Sequence, residues 1–107
     1  MADTKNLNGA DCELLLQVLN QLPNFLAYSV RRERLEPLSK TLESVRTRIE
    51  QERQNKGEKS KIALDASEAE AVRVLIPEII QSLGDLEFSL RTGYSIQQAS
   101  EVLDHLS

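Results

Sequence analysis

A chain of 107 residues has room for one domain and little more. Its 17 Leu, 6 Ile and 6 Val, against 2 Phe, 2 Tyr and no Trp, make an aliphatic, aromatic-poor core of the kind helices build; 28% charged residues exclude a membrane-embedded or disordered class. The net charge of −4 is segregated, with −2 over residues 1–30, +4 over 31–61 and −6 over 62–107. The middle and the C-terminal part therefore attract each other, within a chain or between copies, and the overall acidity argues against nucleic acid as a partner.

In chain order, residues 1–9 read as a polar, flexible arm and 10–107 as a single helical domain. Asp11 stands as an N-cap before Leu14, Leu15, Val18, Leu19 and Leu22 at helical spacing, which Pro23 and Asn24 interrupt. Phe25, Leu26 and Val30 add a further turn or two before the basic stretch Arg31-Arg32-Glu33-Arg34. Leu35, Leu38, Leu42, Val45 and Ile49 then recur in alternating steps of three and four, a heptad seam predicting a helix over about 36–54. Residues 55–65, polar and containing Gly57, read as a solvated loop.

A second seam, Val72, Ile76, Ile79, Leu83, Leu86 and Leu90, predicts a helix over about 67–91, opened by a Ser67/Glu70 capping box. Pro77 and Gly84 fall inside it without changing the apolar phase, so one kinked helix is expected. Gly93 stops that helix, and Ser95 with Gln98 starts a last one carrying Ile96, Ala99, Val102, Leu103 and Leu106. The expected fold is all-α: a small helical bundle built on an antiparallel hairpin of the two seams, with Leu42, Val45, Ile79 and Leu83 at the centre of its core.

The second helix has more apolar surface than one partner can cover, because Leu75, Ile80 and Phe88 flank its stripe. A homodimer that completes the bundle is therefore expected, with residues 11–30 packing either within the chain or across the dimer. Leu75, Ile80 and Phe88, with Arg31, Arg32 and Arg34, form the candidate interaction surface.

Chemical signals are sparse. Cys12 and His105 lie near opposite ends without metal-ligand spacing, and Cys12 sits near a helix start, a place that can lower a thiol pKa. The carboxylates lack the Glu-x-x-His spacing of bundle metal sites, and the glycines are isolated. No catalytic residue, cofactor or metal is expected. A single cysteine rules out an internal disulfide, and no apolar run of about 18 residues or N-terminal leader occurs, so a cytoplasmic location away from membranes is expected.

Tyr94, Ser95, Ile96 and Ala99 form a stretch that resembles the first helix of the helix-turn-helix in mercury-resistance-type regulators. The family pattern places Gly in the turn about four residues after the Ala, where Leu103 stands, and no recognition helix follows before Ser107. No function is carried over from it. The expected function is that of a small cytosolic protein acting by self-association and protein–protein contact, as adaptor or regulatory partner. The alternative is a nucleic-acid accessory protein using segment 31–34, with Arg46, Arg48 and Arg53 extending its charge. Weaker still is a helical-bundle enzyme or ligand binder.

Overall fold

The computed structural model describes residues 4–28 and 32–106. The chain runs through β1 (Lys5–Leu7), α1 (Gly9–Leu19), α2 (Leu22–Tyr28), α3 (Arg32–Lys56), a 3₁₀ turn (Gly57–Lys59), β2 (Ile62–Leu64), α4 (Ala66–Thr92) and α5 (Ile96–His105). It is mostly helical, as its periodicities require. The two seams are the longest helices and extend slightly beyond their expected ends.

The starts of α1, α4 and α5 are each fixed by a reciprocal cap. For α1 the cap is Asn8, whose side chain accepts from the Asp11 N–H at 2.9 Å. Asp11 is thus the third helical residue rather than the cap, because Gly9 and Ala10 continue the helix backward. For α4 the box is Asp65 with Glu68, two residues before the Ser67/Glu70 pair with the same spacing. Ser95 and Gln98 cap α5 as expected. Pro23 falls in the first turn of α2, where its missing N–H costs nothing.

Two stretches expected to be irregular form a small antiparallel sheet. β1 pairs with β2 in the register Lys5–Leu64, Asn6–Ala63 and Leu7–Ile62. Leu7, Ile62 and Leu64 are buried, which corrects the flexible arm for residues 5–7 and the solvated loop for 62–64. Three-residue strands are too short to show alternation against their polar neighbours, so their burial was not legible as a period. The sheet caps the core, β1 touching α1 and α5 and β2 touching α3 and α4.

Helix α1 packs against both α3 and α4, which also touch each other. Cys12, Leu14, Leu15, Val18 and Leu19 are all buried. Residues 11–19 therefore pack within the chain and cover the second seam. Leu42, Val45 and Ile79 lie in the core as expected, but Leu83 is only half-buried. The radius of gyration is 13.1 Å, against about 13 Å expected of a folded chain this long. One copy closes its own core.

The seam of α4 is broken at Gly84, whose φ of 78° and ψ of 169° are not helical. That region is open essentially to glycine alone. Past it the helix is rotated, so Phe88 and Thr92 turn inward while Leu86 and Leu90 are 74% and 71% exposed. The expectation of an unbroken apolar phase is corrected here: an exposed glycine reset it, a local backbone choice that side-chain spacing does not record. Leu75 and Phe88, expected on the outer surface, are fully buried, and Ile80 packs on the core edge.

A Cβ at position 84 would meet no atom within 4 Å, so substitution acts through the backbone alone. In an ordinary exposed helix Gly→Ala stabilises by about 1 kcal/mol. Gly84→Ala is expected instead to destabilise by about 1–3 kcal/mol, lowering the melting temperature by at least about 4 °C. Thermal unfolding followed by circular dichroism measures it; an unchanged or raised midpoint would mean that the helix passes straight through.

Candidate interaction face at the α4 kink

Beyond Gly84, Leu86 and Leu90 lie one turn apart on the same helical face. With Val74 they are the exposed large apolar residues among those described. Phe88 and Thr92 hold this last part of α4 in place from beneath. The Thr92 hydroxyl donates to the Phe88 carbonyl at 2.7 Å and accepts from the Tyr94 N–H at 3.2 Å. Gly93, at φ 80°, ends the helix and donates to the Ser89 carbonyl. The leucine pair is thus carried on a fixed support.

Between α2 and α4 lies a cleft of about 310 Å³ lined by Gln21, Asn24, Phe25, Ile79, Ser82, Leu83 and Arg91. Phe25, Ile79 and Leu83 supply its apolar walls and the other four its polar ones. Arg91 is also held by Glu87 one turn earlier, at 2.6 Å. Leu83 and Arg91 of α4 line the cleft, and Leu86 and Leu90 lie between them in sequence.

The basic residues divide. Arg31 lies outside the described residues, and Arg32 and Arg34 fall in the first turn of α3. Further along α3, Arg46 pairs with Glu43 and Glu50, Arg48 with Glu68 of α4 at 2.8 Å, and Arg53 with Glu13 of α1 at 2.8 Å. Arg46, Arg48 and Arg53, the extension of the basic segment, thus meet carboxylates of their own chain. Ala99 and Val102 of α5, with Leu106 just past its end, are buried where α5 meets α4 and β1, so the Ala99 of the regulator-like stretch packs inside this globule. Burial, then the Glu13 carboxylate, push the Tyr94 phenol above its ordinary pKa.

The ends of the chain meet through a pairing that neither residue's spacing could reveal. His105 Nδ1 lies 3.1 and 3.2 Å from the two carboxylate oxygens of Asp11, 94 residues earlier. Asp11 is buried there and also accepts from the Asn8 N–H. No group of three or more His, Cys, Asp or Glu among the described residues is placed to hold a metal ion, and no described helix is long and apolar enough to cross a membrane.

Cys12 is fully buried with its thiol 3.8 Å from the Leu7 carbonyl. Burial pushes its pKa up and outweighs the backbone hydrogen bond at Ile62. The lowering expected from a helix start is corrected: desolvation dominates at this depth. The folded chain keeps a thiol proton that the unfolded chain releases, so stability falls as pH rises through the unfolded thiol range. In native buffer Cys12 is expected to resist an aromatic disulfide reagent, and to react at once in guanidinium. Prompt stoichiometric reaction of the folded protein would contradict its burial.

No protein-family model matches this chain, and no curated protein or solved structure matches it significantly.

Proposed function

We propose that this is a self-associating interaction protein, a cytosolic homodimer that works as an adaptor or regulatory partner. In this reading α3 and α4 are the antiparallel hairpin of a small bundle, and a second copy covers what the hairpin and α1 leave open. The observation that carries it is the exposure of Leu86 and Leu90, 74% and 71%, on one face of a well-anchored helix end. In this reading the interaction surface is this pair rather than Leu75, Ile80 and Phe88: Leu75 and Ile80 pack within the chain before the kink, and beyond Gly84 it is Phe88 that faces inward while Leu86 faces out. The ion-paired Arg46, Arg48 and Arg53 support a protein partner over a phosphate backbone, since each would have to break a contact to reach a nucleic acid.

Sedimentation equilibrium across a dilution series tests the reading. The mass is expected to rise with concentration from 12.1 kDa toward twice that value. Covering two leucines contributes about 1.5–3 kcal/mol each. The double variant Leu86→Ser, Leu90→Ser should therefore weaken association by more than about tenfold without lowering thermal stability. A wild-type mass fixed at one chain up to millimolar concentration would overturn the proposal.

A further inference from the structure

The α2–α4 cleft is built from two unlike halves of α4. Ile79, fully buried, and Leu83, half-buried, come from before the break at Gly84 and face Phe25 of α2, which is also half-buried. Arg91 comes from after the break and is the one charged group among the described lining residues. On an uninterrupted helix Ser82 and Arg91, nine residues apart, would stand about two and a half turns apart and face opposite sides. The non-helical backbone at Gly84 lets both line one cleft. The guanidinium is also oriented. Its Nε donates to Glu87 at 2.6 Å, while its two terminal nitrogens make no hydrogen bond to the described residues. A fork held in this way suits a carboxylate that accepts two parallel hydrogen bonds.

We infer that the cleft is a binding site for a small amphiphilic carboxylate, an aliphatic acid whose chain lies on Phe25, Ile79 and Leu83 and whose carboxylate meets Arg91. The volume of about 310 Å³ sits at the lower end of the range of small-molecule sites, about 300–1,000 Å³. Charge selects the head group. A cationic ligand would be repelled by Arg91, and a purely apolar one would strip water from the guanidinium without replacing its hydrogen bonds. A polyphosphate would call for several cations, and the described lining holds one. Gln21, Asn24 and Ser82 add neutral donors beside it. The site lies within one chain, so the inference does not depend on self-association.

The experiment titrates the full chain, at one fixed protein concentration, with octanoate and separately with octanol, and follows methyl resonances. The expected result is a saturable shift of Ile79 and Leu83, with octanoate bound about three- to tenfold more tightly than octanol. Arg91→Gln, first shown to keep the wild-type melting temperature, is expected to bind both equally. Equal binding of the acid and the alcohol by the wild-type chain would overturn the inference without any variant, because the cleft would then be a greasy hollow with no role for Arg91. Shifts largest at Leu86 and Leu90 would overturn it by placing the acid on the exposed leucines. So would the absence of any saturable shift below the micelle concentration of octanoate. None of these outcomes bears on the concentration dependence of the mass, so the two readings fail separately.

Discussion

The structure depends on the burial of α1. Eleven residues are too few to form a stable helix alone in water, so Gly9–Leu19 is helical because α3 and α4 enclose it. Its apolar residues do not form a narrow stripe. Leu14, Leu15, Val18 and Leu19 cover a broad arc, which suits a helix that must satisfy two neighbours at once. Once α1 is in place the rest follows from proximity. β1 leads into it and is drawn onto β2, whose strand leads into α4, so the start of the chain and the α3–α4 connection close the same end of the core. The ion pairs Arg53–Glu13 and Arg48–Glu68 link these helices from the outside. Part-exposed pairs of this kind contribute at most about 1 kcal/mol each, so they tune alignment more than stability.

Gly84 is the second constraint, and it acts on the surface. A straight α4 would carry Leu83, Leu86 and Leu90 along one seam. The backbone at Gly84 instead rotates the last part of the helix, spends Phe88 and Thr92 on the core, and turns two leucines outward. The C-terminal end of α4 is then pinned by the Thr92–Tyr94 hydrogen bond and the Gly93 stop, and α5 returns across the core to bring His105 onto Asp11. The same backbone choice creates an exposed apolar face.

The legibility of the fold followed the length of each signal. Two seams of five or six apolar residues identified α3 and α4 to within a few residues, and Ser95 with Gln98 identified the start of α5. Strands of three residues left no period to find. The capping boxes at Asn8 and Asp65 were hidden by competing acidic and hydroxyl residues at the same spacing nearby. The surface was misplaced for two reasons: Leu75 and Ile80 pack within the chain, where α1 lies against α4, and helical periodicity extrapolates through a glycine, whereas a glycine at φ 78° resets the phase, so Phe88 and Leu86 exchanged roles. The Asp11–His105 pair was out of reach because it depends on where α5 lands after the chain has folded.

The central claim is that one chain closes its own core around α1 and that the proposed association runs through the face beyond Gly84. Methyl resonances measured as a function of protein concentration test both halves at once. Leu86 and Leu90 are expected to shift with concentration, while Leu15, Val18 and Leu19 stay fixed. Resonances of α1 that move together with those of α4 would contradict the account by showing that association opens the core. Resonances that are all independent of concentration would contradict it by showing that the exposed leucines have no partner in a second copy.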